Sequence, residues 1–225
     1  IAFLSGVSEV KTKHAASAFD QAILDYNAFF DASIAKDVAN CERLSRSLME
    51  FAARDPERPI FHLSQPLGWL FDPAGAWFYQ GRYHVFSYHN IYARLAYNSL
   101  DHYVSDDLLR WTQWPIGPWA DSPDDIYGIW LNNHFLDDDG VPTAIYSAIG
   151  ENGNRRGAPG DWGDHGILAR SRDGLVSFPD KRVVMPDYQH DGHIWKEGGT
   201  WYCLTSDQYN GGREGDLGDG IVILT

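Results

Sequence analysis

From Ser17 to Arg54 apolar residues recur every three or four positions, at Phe19, Ile23, Tyr26, Phe30, Ile34, Val38, Cys41, Leu44, Leu48 and Phe51, with no Gly or Pro among them. That spacing is helical, and it predicts one long helix, or two broken near Asp31 to Ser33, with Ser17 as N-cap. The stripe is the kind of face that packs on a neighbour. Asp55-Pro56-Glu57-Arg58-Pro59 then ends the helix. Beyond Pro59 the pattern changes to short aromatic and β-branched runs separated by Gly, Asp and Asn, which read as strands and hairpins. Two segments result, a helical one over 1–57 and a β-rich one over 58–225.

The β-rich segment repeats. Gly81, Gly140 and Gly199 stand 59 residues apart, each in an expected hairpin turn before an apolar strand: Tyr83 to Tyr88, Val141 to Ser147 and Thr200 to Ser206. Ser105-x-Asp107-x-x-x-Trp111 is echoed by Ser171-x-Asp173-x-Leu175-x-x-Phe178, each closing a turn with an aromatic. A fixed period with an aromatic per unit in an all-β segment is the mark of a β-propeller. Three units are present, and propellers close with about four to eight blades. The chain begins at Ile, and its last run, Ile221-Val222-Ile223-Leu224-Thr225, is an apolar strand with no terminator. The expectation is a piece of a longer protein.

Composition narrows the partners. Of 225 residues 44% are hydrophobic and 14% aromatic, enough for one sizeable core, and nine Trp with twelve Tyr favour aromatic surfaces of the kind that bind carbohydrate. The formal net charge of −13 argues against nucleic acid and anionic membranes as partners, since cationic clusters are what displace counterions from phosphate. No window approaches the ~20 apolar residues of a membrane span, and the leading IAFLSG is too short for a complete signal peptide. Cys41 and Cys203, far apart, read as two buried thiols.

Candidate chemistry centres on Phe61 to Phe86. Gly68, Pro73 and Gly75 bracket Trp69 and Asp72, predicting a sharp turn that presents a carboxylate beside an indole. Such a pair suits a sugar ring, whose hydroxyls meet the acid while its apolar face meets the aromatic. On the dipeptide alone, Asp72-Pro73 reads more readily as a turn cap. His190-x-x-His193 with Asp191 offers two imidazoles and a carboxylate, yet residues three apart on a strand face opposite sides, so no metal is expected. Asp137-Asp138-Asp139-Gly140 lacks the alternating ligand spacing of a calcium loop and reads as a solvated hairpin turn.

Trp69-Leu70-Phe71-Asp72-Pro73-Ala74-Gly75 resembles the W-M-N-D-P-N-G block of glycoside hydrolase family 32, the invertases, inulinases and levanases. Phe61-His62-Leu63 with Pro66, Gly81-Arg82-Tyr83-His84-Val85-Phe86, and His102-Tyr103-Val104-Ser105-Asp106-Asp107-Leu108-Leu109-Arg110-Trp111 resemble further segments of that family in the same order. The resemblance implies a five-bladed β-propeller, about three blades of it in this chain, following the N-terminal α-helical segment. It implies a retaining glycosidase acting on sucrose or fructans, needing no cofactor, with Asp72 as nucleophile. Asp191 matches the Asp of the family's R-D-P segment, which holds sugar hydroxyls and stabilises the transition state, with His190 in place of the Arg. Gly128-Ile129-Trp130-Leu131-Asn132-Asn133 is similar to the G-x-W-S-G-S segment that lines the fructose pocket, so Trp130, Asn132 and Trp69 are expected sugar contacts, with Ser87 where a Gln is usual. Each Trp has plain core as its alternative reading. The family's acid/base, a Glu followed by Cys, has no match here, which implies that these residues alone are inactive. Phe71 and Ala74 replace two Asn of the block, pointing to an altered specificity. A fructosyltransferase, a related glycosidase acting on another sugar and a non-catalytic sugar-binding propeller are the alternatives.

Overall fold

The computed structural model describes residues 17–59, 62–90, 99–151, 164–185, 192–206 and 221–224. Two helices come first, α1 (Ala18–Ile34) and α2 (Val38–Ala52). Ser17 closes a capping box on α1, its Oγ accepting from Asp20 N while the Asp20 carboxylate accepts from Ser17 N. The break falls a little later than the Asp31 to Ser33 region, at Ala35 to Asp37, where Lys36 takes a φ of 59° and Asp37 caps α2 through Asn40 N. The buried face also differs from the apolar stripe. Ala22, Tyr26, Phe29 and Ser33 are buried, whereas Phe19, Ile23 and Ile34 are exposed. Ser33 explains the offset, because its hydroxyl accepts from Ile116 N at 2.6 Å and turns that side of α1 inward.

Three antiparallel sheets follow. The first is β1 (Trp69–Tyr79), β2 (Arg82–Asn90), β3 (Leu100–Ser105) and β4 (Thr112–Trp114); the second is β5 (Gly128–Leu136), β6 (Pro142–Ile149), β7 (Asp164–Arg170) and β8 (Asp180–Met185). The third comprises β9 (His193–Glu197), β10 (Thr200–Ser206) and β11 (Ile221–Leu224). Strands neighbour one another in chain order within each sheet. The repeated glycines turn the first hairpin of each sheet, Gly81, Gly140 and Gly199 having φ of 80°, 73° and 87°, a region that a Cβ disfavours. The Ser-x-Asp echo is also structural. Ser105 Oγ accepts from Leu108 N at 2.8 Å and Ser171 Oγ from Leu175 N at 2.8 Å, which holds Leu108 and Leu175 at φ of 64° and 72°. The N–H groups of Arg110 and Leu109 hold the Asp107 carboxyl below its usual range.

β4 is an edge, and α2 covers it. Ser45 Oγ accepts from Gln113 N at 2.8 Å, and Glu42 accepts from Trp114 Nε1 at 2.8 Å, so helix side chains stand where another strand would. Cys41 lies fully buried in the helix core beside Leu44 and Leu48, a free thiol that burial raises to about 12, and Cys203 is also buried. No helix among the described residues is long and apolar enough to cross a membrane.

The first two sheets meet on rings. Phe86 of β2 stacks between His102 of β3 at 4.2 Å and His134 of β5 at 4.1 Å, with Phe178 edge-on at 6.1 Å. His84 donates to Tyr79 O through Nε2 at 3.3 Å, which leaves its Nδ1 to accept from His102 Nε2 at 2.8 Å. Among the described residues neither nitrogen of His134 has a hydrogen-bond partner. Arg82 is the charged side chain that bears on His84 and His102, and it repels their protonated forms. Burial lowers His84 to about 4 and His134 to about 3, and it takes His102 well below its ordinary value.

The sign of the pH dependence follows. Unfolded imidazoles protonate near pH 6.5, while the folded rings stay neutral until about pH 4 and below, so their contribution is complete above 6.5 and is lost as pH falls through 4. The melting temperature should therefore decline from pH 6.5 to 4.5. His134→Phe, which keeps the stack, should flatten the slope of stability against pH by up to about 1.4 kcal/mol per unit in that window. An unchanged slope would show that His134 takes up its proton without disturbing the seam.

Candidate functional site

Asp72 lies in β1 rather than in a sharp turn. The ladder runs Trp69 opposite Asn90 and Leu70 opposite His89, then resumes with Pro73 opposite Ser87 and Gly75 opposite Phe86, so the register shifts twice. Pro73 has no N–H to give, so its place in the ladder is weak from the start, and a bulge absorbs it while β2 continues alongside. The exposed Asp72 side chain is carried out of the pairing. Ala74, next but one, is buried on the core side.

Ser87 is buried opposite Pro73, and Asp101 faces it from β3. The Asp101 carboxylate, with no exposure, accepts from Gln65 Nε2 at 3.0 Å and Gln113 Nε2 at 3.2 Å. A buried anion with two amide donors thus braces the first sheet behind the bulge. Trp130 sits in β5 opposite Ser147, half-buried and packed against the core shared by the first two sheets. Asn132 is the residue passed over where the β5–β6 register shifts between Leu131 and Asn133. Trp69 begins β1. His190 and Asp191 lie outside the described residues, immediately before Gly192 and β9.

The first strand of each sheet lies against the first strand of the next. Trp77, late in β1, is 6.3 Å from His134, late in β5. Lys196, late in β9, pairs with Asp138, just past the end of β5. Asn133 of β5 also meets His193 at the start of β9, so β5 and β9 run in the same direction, with Trp130 toward the starting end of β5. At the other end the acidic run is more than a solvated turn: Asp137 and Asp139 each hold Arg170 at 2.6 Å, Asp137 accepts from Val141 N at 2.9 Å, and Asp138 takes Lys196 and Trp201 Nε1. Its carboxylates are spent on side-chain cations. Among the described residues no group of three or more His, Cys, Asp or Glu is arranged to hold a metal ion.

One constellation carried no signal beforehand. Asp125 has no exposure and accepts from Ser122 N at 2.7 Å, Tyr146 OH at 2.9 Å and Lys181 Nζ at 2.7 Å, while Lys181 also reaches Asp121 and the Trp119 carbonyl. A Cβ on Gly150 would come within 2.2 Å of the Asp124 backbone, so only Gly lets the end of β6 cross this loop. The loop is locked as it enters β5. Ser122-x-x-Asp125 has the spacing of a local cap, but nothing in the chain ties it to a lysine 56 residues away.

Residues 62–217 match the model of the glycosyl hydrolases family 32 N-terminal domain. The chain belongs to glycosyl hydrolase family 32. Among curated family 32 proteins, the raffinose invertase of Escherichia coli is 31% identical over 158 residues, 65% of this chain and 31% of that protein. The sucrose-6-phosphate hydrolase of Bacillus subtilis is 31% identical over 167 residues, 70% of this chain and 33% of that protein. This chain thus spans about a third of their length. The structure of sucrose-6-phosphate hydrolase from Lactobacillus gasseri shares its fold, with a TM-score of 0.56 at 23% identity over 72% of this chain and 34% of that one.

The locked loop gives a test. Lys181→Met leaves the Asp125 carboxylate buried without its cation, which should cost about 3–5 kcal/mol of stability. Lys181→Met combined with Asp125→Asn should recover most of that loss in denaturant unfolding, since the uncompensated charge is gone.

Proposed function

We propose that this chain is the N-terminal part of a retaining glycosidase that acts on β-fructofuranosides, sucrose or fructans, by double displacement. The observation that carries the reading is Asp72: an exposed carboxylate lifted out of the β1 ladder at a bulge, inside the segment that matches family 32. The whole protein would form a five-bladed propeller, the three sheets being about three of its blades, with 1–57 as a helical segment and 58–225 as the partial propeller domain.

In that reading Asp72 attacks the anomeric carbon and forms the covalent glycosyl intermediate, and a second carboxyl group about 5 Å away protonates the leaving oxygen. The second group, a Glu, would be supplied by the remainder of the protein, so residues 1–225 alone would turn over nothing. Asp191 would hold the sugar hydroxyls as the ring flattens toward the oxocarbenium-like transition state. Trp69, Ser87, Trp130, Asn132 and His190 would line the sugar subsite. Ser87 is buried, so it would act on the strand that carries Asp72 as much as on the sugar. The names of the curated relatives, a raffinose invertase and a sucrose-6-phosphate hydrolase, support a fructosyl substrate.

In the complete protein Asp72→Asn should lower turnover of sucrose or inulin at least ~10³-fold while unfolding stays cooperative. Near-normal hydrolysis by that variant would remove Asp72 from the nucleophile's place. Product analysis with sucrose alone separates a hydrolase, which releases glucose and fructose in equal amounts, from a transferase, which releases glucose and lengthens a fructosyl chain.

A further inference from the structure

The apolar stripe that marks α1 in the sequence does not point into the core. Phe19, Ile23 and Ile34 are 59%, 41% and 59% exposed, although with the half-buried Phe30 they follow one another at steps of four, seven and four residues along one side of the helix. At 1.5 Å per residue that row is about 22 Å long. It opens at the seam of the helical hairpin, where Phe19 meets Phe51 of α2 with ring centroids 6.4 Å apart, and toward its other end Phe30 meets Trp119 edge-on at 5.6 Å. Single apolar side chains scattered over a surface are ordinary, whereas a row of them along one helix marks a contact surface. The hairpin lies outside residues 62–217, which match the family model, so this surface is an addition to the family 32 domain.

Charge identifies the neighbour. α1 contains no Lys or Arg, and its Asp20 and Asp31 are exposed. The exposed charges of α2 and the turn that ends it are mostly cationic, Arg43, Arg46 and Arg54 against Glu50. The two helices therefore present opposite signs on their outer sides. A foreign partner would have to carry an apolar row flanked by both signs, and a second copy of this chain carries it already. A two-fold axis brings α1 of each protomer against α2 of the other, so every favourable pairing is made twice.

We propose that the α1–α2 hairpin is a homodimerisation surface: two hairpins pair antiparallel into a four-helix bundle, stripe on stripe, with the acidic α1 of each protomer beside the basic α2 of its partner. α2 keeps Glu42 and Ser45 on β4 and pairs through its exposed side. Asp72 takes no part, so the oligomeric state is independent of turnover.

The test is the mass of the complete protein in solution, by sedimentation velocity at micromolar concentration. Wild type should sediment as a dimer. Ile23→Gln with Ile34→Gln, at two exposed positions, should leave helix content unchanged in circular dichroism and weaken the dimer at least about 10-fold. Asn27 and Asp31, exposed and one turn apart on α1, carry the charge test. Asn27→Lys with Asp31→Lys makes the outer sides of both helices cationic, and Arg43→Glu with Arg46→Glu makes both anionic, so each variant alone should dissociate. Equimolar mixing of the two should restore a dimer that holds one of each, an exchange that only α1 lying on the partner's α2 produces. A monomeric wild type shows that another part of the protein covers the stripe, and it overturns the inference. So does a dimer that survives the two Gln substitutions. Charge variants that fail to recover on mixing overturn it independently, including where the Gln variant loses its helices.

Discussion

Phe86, clasped between the imidazoles of His102 and His134, is the contact on which the placement of the site depends. It joins β2 and β3 of one sheet to β5 of the next, and Trp77 and Phe178 pack around it. Trp77 of β1 packs on the same His134, so the first strands of both sheets meet at this contact. The rings can serve in this way only while neutral. A protonated imidazole here would meet two other imidazoles and Arg82, and among the described residues no carboxylate bears on the cluster.

The two seams use different chemistry for related ends. The first is ring against ring, with orphaned imidazole nitrogens whose desolvation, about 1–3 kcal/mol for each unsatisfied group, is offset by buried aromatic area. The second has a small apolar cluster, Ile145, Ile194 and Cys203, and takes its alignment from polar pins at its two ends, Asn133 and Asp138. A stack tolerates sliding more readily than a pair of directed hydrogen bonds.

Much of the architecture was legible in the chain. The glycine period marked all three first hairpins, since only residues comfortable at positive φ close them. The Ser-x-Asp echo marked two turns whose hydroxyls take backbone N–H groups, a local bond that two nearby residues suffice to make. Ser17 and Asp37 capped helices for the same reason. The bulge at Asp72 was less legible: Gly and Pro around an Asp describe a turn or a bulge equally, and the choice between them was made by β2, which continues past it and supplies Ser87 as the next partner.

Local sequence, then, determined the elements and their ends, because capping, hairpin closure and period are decided within a few residues. Tertiary structure decided which side of α1 is buried, since Ser33 answers an N–H of Ile116 that lies 83 residues away. It decided that Asp125 is a buried counter-ion for Lys181, that the histidines of β2, β3 and β5 share one cluster, and that an amide in β5 holds the start of β9. The physical reason is common to all four. Burying a polar group requires a partner, and that partner stands on another element whose distance along the chain carries no local signal.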